Sequence, residues 1–163
     1  MSQDPVAARS AFMADVQRKM LKAEEPPKPK KLTGTSDSKF ARFVDETREC
    51  IEHGDWSLAK PMHLVALYAE LHERVYRVAP AELDPKARTL AAVRARKLLD
   101  AQFGGDCGKF AEYARWCFNR EKGRVEWRAR EGREQTRISW GLFFNGALIT
   151  DMRVALMAAQ GKR

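Results

Sequence analysis

The sequence is poor in the features that mark membrane, secreted and catalytic proteins. No apolar run approaches the roughly 18 residues that a membrane span requires, and residues 1–20 lack the basic-then-apolar order of a secretory signal. A cytoplasmic location is therefore expected. Cysteine is scarce: Cys50, Cys107 and Cys117 are an odd number with no CxxC spacing, which argues for free thiols in a reducing compartment. Neither GxSxG nor HExxH occurs, nor any other catalytic motif. Histidine is limited to His53, His63 and His72, and the last two, nine positions apart, fall half a turn out of phase on a helix, so they form no dyad. The stretch Gly104-Gly105-Asp106-Cys107-Gly108-Lys109 is one residue short of a phosphate-binding loop, and Phe110 stands where a hydroxyl would hold Mg²⁺. Asp106 reads instead as a helix cap. Cys50-x-x-His53 offers two zinc ligands, but Cys107 and Cys117 lie ten residues apart and supply no convergent second pair. The expectation is a protein that is not an enzyme, with no metal and no cofactor.

What is present suits one folded domain. Hydrophobic residues make up 44% of the 163 positions and charged residues 32%, enough apolar material for a single buried core. Lys and Arg number 30 against 22 Asp and Glu, and the excess of +8 is unevenly placed. Residues 39–85 carry 6 basic and 9 acidic groups, whereas residues 86–163 carry 17 and 8, a balance of +9. A segregated positive field attracts polyanions over about a Debye length, roughly 8 Å at physiological salt, so nucleic acid is the expected partner.

Along the chain, Asp4-Pro5 reads as a helix start, and Val6, Met13, Val16 and Met20 recur at spacings of 7, 3 and 4. These four predict a tethered amphipathic helix over residues 1–23 that either folds back on the domain or docks in a partner's groove, and binding a protein partner is the role expected of it. A Pro/Lys stretch and then a Gly/Ser/Thr stretch over 24–37 read as its linker. A helical domain is expected over 38–160, with four helices legible from periodicity and punctuation. In the first, Ser38 is a cap and Phe40, Phe43, Val44, Thr47 and Ile51 are core positions before Gly54. The second carries Leu64, Tyr68, Leu71 and Val75 and ends before Pro80, with Glu70 and Glu73 set to pair with Arg74 and Arg77. The third opens at Asp84-Pro85, buries Leu90, Val93 and Leu98, and stops at Gly104-Gly105. The fourth starts after Asp106, buries Phe110, Tyr113, Ala114, Cys117 and Phe118, and meets an end or weak point at Gly123. Residues 138–154 allow two readings. Ile138, Trp140, Leu142 and Phe144 alternate before Asn145-Gly146, a hairpin signal, while the Ala and Met content of 147–159 favours a short turn of helix and a closing helix. The fold class is mostly α, a compact domain of four to six helices with a short C-terminal hairpin as the alternative.

Between Arg115 and Arg137 lie Arg115, Arg120, Lys122, Arg124, Arg128, Arg130, Arg133 and Arg137 against four glutamates, with Trp116, Trp127 and Trp140 interleaved or adjacent. Arginine offers phosphate a planar fork and stacks on bases, which suits polyanion contact. If the helix continues through Gly123, Arg120, Arg124 and Arg128 form one ridge along it. The competing reading pairs Glu126 with Arg130 and packs arginine stems over Trp116 and Trp127 as core aromatics. Lys86, Arg88, Arg94, Arg96 and Lys97 add five cations, read as uncompensated, on the preceding helix. Together these thirteen residues are the expected nucleic-acid-binding set.

The order of Leu64-Val65-Ala66-Leu67-Tyr68 and Val75-Tyr76, a Lys/Arg-rich helix, Tyr113-Ala114-Arg115-Trp116 and Ile138-Ser139-Trp140-Gly141-Leu142-Phe143-Phe144 resembles small helical proteins of phage and mobile-element replication modules. The similarity spans residues 56–154. It implies an accessory role like that of helicase-loader adaptors and brings no catalytic residues with it. The resulting expectation is a nucleic-acid-binding adaptor of low sequence selectivity. The alternative is a protein-interaction or assembly subunit whose basic face meets an acidic partner.

Overall fold

The computed structural model describes residues 36–160. The helix expected over residues 1–23, with Val6, Met13, Val16 and Met20, and residues 24–35 of the expected linker lie outside the described residues, whereas Ser36 and Asp37, read as the end of that linker, are helical. Six helices hold 77% of residues 36–160, with no strand among them. They are α1 (Ser36–His53), α2 (Pro61–Tyr76), α3 (Pro85–Phe103), α4 (Cys107–Arg130), α5 (Trp140–Phe144) and α6 (Ala147–Gln160). No helix among the described residues is long and apolar enough to cross a membrane.

The centre of the domain is α2. Its run Leu64-Val65-Ala66-Leu67-Tyr68 is fully buried, because α1, α3 and α4 pack around it and leave no solvent stripe. Local chemistry sets its ends: Pro61 occupies the first turn, where its missing N–H costs nothing, and Arg77 turns into the left-handed region at φ 60° to close the last turn. That left-handed step takes Arg77 off the helix, and it forms no ion pair with Glu73 among the described residues. Glu70 does pair with Arg74, at 2.9 Å, and also with Arg48 of α1 at 2.9 Å.

The starts of α3 and α4 follow the expected caps. The Asp84 carboxylate accepts the Ala87 N–H with Pro85 in the first turn, and Asp106 accepts the Lys109 N–H. Gly104 ends α3 at φ 61°. The buried face of α3 differs from expectation. Leu90 and Val93 are 48% and 50% exposed, and Ala91, Ala95, Leu98 and Leu99 face the core. The small alanines let α3 approach α2 closely, which turns the larger branched residues outward. Ser38 lies inside α1 and is no cap, since the helix already includes Ser36. Helix α4 runs unbroken through Gly123 to Arg130.

Residues 138–154 do not form the hairpin. Asn145 sits at φ −87°, whereas the two-residue hairpin turn needs positive φ at both central positions. Adjacent Phe143 and Phe144 are both buried among Tyr68, Phe110 and Tyr113, which a strand with alternating faces could not achieve. Ser139 caps α5 by accepting the Leu142 N–H, and Gly146, at φ +78°, turns the chain into α6.

Candidate nucleic-acid interface

The division of charge along the chain holds for the described residues. The described residues up to Pro85 carry 6 basic and 10 acidic groups, and those from Lys86 to Gln160 carry 15 and 8. Side-chain partners then sort eleven of the thirteen expected cations into two sets, and the other two, Arg94 and Arg133, lie over tryptophan rings. Arg88 is held: its guanidinium lies 2.6 Å from Asp37 and 4.2 Å from the Phe40 ring centre, its side chain is 19% exposed, and its Nε is buried without a partner. Reading it as uncompensated is therefore corrected, because α1 reaches across to neutralise it. Arg96 lies 4.0 Å from Asp100 one turn along α3. Arg120 meets Asp151 of α6 at 3.1 Å, Arg124 meets Glu121 at 3.0 Å, and Arg128 donates to the Glu134 carbonyl and to Thr136. The ridge Arg120, Arg124 and Arg128 thus exists as one row, but Arg120 also braces α6, Arg128 braces the segment after α4, and Arg124 pairs with buried Glu121 within α4.

The second set is open. Lys86, Lys97, Arg115, Lys122, Arg130 and Arg137 are exposed and form no ion pair with any described residue. The expected Glu126–Arg130 pair is not made. Long cationic side chains in this state keep their full charge toward solvent and toward an approaching polyanion.

Three tryptophans on the basic half each carry an arginine. The Arg94 guanidinium lies 5.0 Å from the Trp140 ring centre, Arg120 lies 5.6 Å from Trp116, and Arg133 lies 4.9 Å from Trp127. Trp116 is partly buried in a groove with Tyr113, Met152 and Leu156, whereas Trp127 is 43% exposed and no core aromatic. The Trp116–Arg120 contact could be read from i,i+4 spacing. The Trp127–Arg133 contact could not, because it depends on the segment after α4 folding back, held by Arg128 and by a hydrogen bond from Gln135 to the Val125 carbonyl.

The acidic half holds an open cavity of about 690 Å³ lined by Glu46, Glu49, Cys50, His53, Asp55 and His63, among others. His63 Nδ1 accepts the Lys60 N–H at 2.9 Å, so the ring proton is on Nε2, which donates to Glu46 at 2.9 Å. Both ring nitrogens are thereby engaged within the fold. Arg42 and His63, both hydrogen-bonded to Glu46, hold its carboxyl below the ordinary range. Burial, with Asp55 and Glu49 nearby, raises the Cys50 thiol, and burial pushes Cys117 up to about 12, so neither is poised as a thiolate at neutral pH. Among the described residues no group of three or more His, Cys, Asp or Glu is placed to hold a metal ion. Compared with protein-family models, curated proteins and solved structures, the chain matches none.

Proposed function

We infer that this chain binds nucleic acid through the cations of α3, α4 and the segment that follows, as an accessory or adaptor protein and not as an enzyme. The observation that carries the reading is that six of the thirteen expected cations are exposed with neither an ion pair nor a ring contact among the described residues, in the part of the chain with 15 basic and 8 acidic groups. Lysine and arginine contacts to phosphate position a nucleic acid without reading its bases, so sequence selectivity is low. The order of residue types shared with helicase-loader-like proteins of phage and mobile elements adds a replication setting to the same proposal.

The test is a salt titration by fluorescence anisotropy. Four to six phosphate contacts on duplex DNA give a log–log slope of roughly −4 to −5. Absence of binding at low salt to single-stranded and duplex DNA and RNA would sink the reading. One observation favours a second reading, an assembly subunit docking on an acidic protein: Val154 and Met157, at i and i+3, leave an apolar strip of α6 exposed. Excess heparin displaces nucleic acid, and leaves a protein complex that also buries α6 largely intact.

A further inference from the structure

Eleven positions separate Trp116 from Trp127 in α4, and at 3.6 residues per turn that is just over three full turns. The two indoles therefore rise from one side of the helix, with Arg120 and Gly123 between them at i+4 and i+7. The Trp116 end of this stripe is partly buried: the ring lines a groove with Met152 and Leu156 of α6, and Asp151 holds Arg120. The Trp127 end is open at 43% exposure, with its ring backed by the Arg133 guanidinium at 4.9 Å.

Gly123 is the unexplained member of the stripe. A Cβ there would meet no atom within 4 Å, and its φ is not positive, so neither crowding nor backbone geometry calls for glycine. Glycine inside an exposed helix is a destabilising choice, and its remaining use is to let something approach the backbone closely. The surroundings say what that is. Seven basic side chains occur from Arg120 to Arg137. Of the four glutamates in this segment, Glu121 is buried and bound by Tyr76 and Arg124, which leaves three exposed. An exposed ring in a net positive field suits a flat apolar group carried on an anionic chain.

We propose that this stripe is a platform for single-stranded nucleic acid: one unpaired base stacks on Trp127, and the sugar–phosphate backbone crosses α4 over Gly123 between Arg124 and Arg130. Single strands fit because stacking requires a free base face, which a duplex does not offer. Arg133 holds the ring from behind and adds its own positive charge to the stack. The inference rests on the nucleic-acid reading above and names the class of strand that this site takes.

The experiment measures anisotropy with an oligothymidylate, an oligouridylate and a duplex of equal length, on the full chain and on Trp127→Ala, Trp127→Phe and Gly123→Ala. The full chain is expected to prefer single strands, the two oligomers reporting whether DNA or RNA is favoured. Loss of one stacked base predicts a roughly 5- to 150-fold weaker single-strand affinity for Trp127→Ala, with duplex binding and salt slope unchanged. Trp127→Phe retains most of the affinity, and Gly123→Ala weakens single-strand binding while its melting temperature does not fall. Binding of duplex and single strands alike, with Trp127→Ala indistinguishable from the parent, overturns the platform and leaves the general nucleic-acid reading standing. No binding to any of the three probes overturns that reading itself.

Discussion

The hydroxyl of Tyr76 donates to the buried carboxylate of Glu121 at 2.9 Å, tying the last turn of α2 to the middle of α4. The same oxygen accepts the Ile138 N–H at 2.9 Å, while Tyr68, two turns earlier, donates to the Ile138 carbonyl at 2.7 Å. Two tyrosines of one helix thus satisfy both backbone groups of Ile138 and fix where the segment after α4 returns to the core. Burial raises both phenols far above their ordinary pKa, so they stay neutral donors at any working pH.

Tyr76→Phe keeps the ring and removes both bonds. It leaves the Ile138 N–H without its acceptor and Glu121 with Arg124 alone. A loss of about 1–3 kcal/mol is expected in urea denaturation. Glu121→Gln, which can still accept from Tyr76, is expected to cost less, and a double-mutant cycle should give a nonzero coupling.

The two sets of cations are expected to respond differently to charge reversal. Arg124→Glu sets a second carboxylate beside buried Glu121 and is expected to destabilise the fold by about 1–3 kcal/mol. Lys122→Glu and Arg130→Glu disturb no described pair and should stay within about 0.5 kcal/mol of the parent, yet each should weaken nucleic-acid binding and flatten the salt slope by about 1. Circular-dichroism melts and anisotropy on the same preparations separate the two effects.

Two glycines are expected to behave oppositely when changed to alanine. At Gly146, φ is +78° and a Cβ would lie 2.7 Å from Leu98 Cδ1, so Gly146→Ala is expected to cost about 1–3 kcal/mol. Gly123 has open space and helical geometry, so Gly123→Ala is expected to stabilise by about 0.5–1 kcal/mol. Thermal melts of the two variants, run side by side, check the sign of each.

Stability is expected to fall as pH drops below about 6.5, the ordinary histidine value. Burial holds His72 below that value, against the opposing pull of the Val78 carbonyl, to which Nδ1 donates at 2.9 Å. Its Nε2 is buried without a partner, so protonation would place an unsatisfied N–H there. Because the folded pKa is the lower one, the unfolded chain takes the proton first. Stability from neutral His72 is complete above the unfolded pKa and is lost as pH falls toward the folded one. Melting temperature followed from pH 8 to pH 5 should decline, and the His72→Gln variant should decline less steeply whatever its absolute stability.

Much of the helical framework was legible in the sequence because its signals are local. Asp84-Pro85, Asp106 and Gly104 each act on backbone groups within a few residues, and all three punctuate the helices as expected. Apolar spacing identified Leu64, Tyr68, Phe110, Cys117 and Phe118 as core. Spacing misled at Leu90 and Val93, because periodicity marks an apolar face without saying which neighbour it meets, and α2 selected the alanine side of α3. It left residues 138–154 open, since Asn145-Gly146 serves a hairpin or a helix junction equally well until Phe143 and Phe144 find their places in the aromatic core.

The sequence by itself determined the helical class, the main helix ends and the concentration of positive charge after Lys86, because caps, periodicity and net charge need no knowledge of distant partners. Only the tertiary structure decided which cations remain unpaired. Arg88 is neutralised by Asp37, 51 positions away, and Arg120 by Asp151, 31 positions away. It also decided that Trp127 stands exposed on Arg133, since that contact requires the chain to reverse after α4 and be held there. Such pairings depend on where packing brings separate segments together: the partners of Arg88 and Arg120 lie outside any short window of sequence, and Trp127 meets Arg133, six positions on, only because the chain turns back after α4.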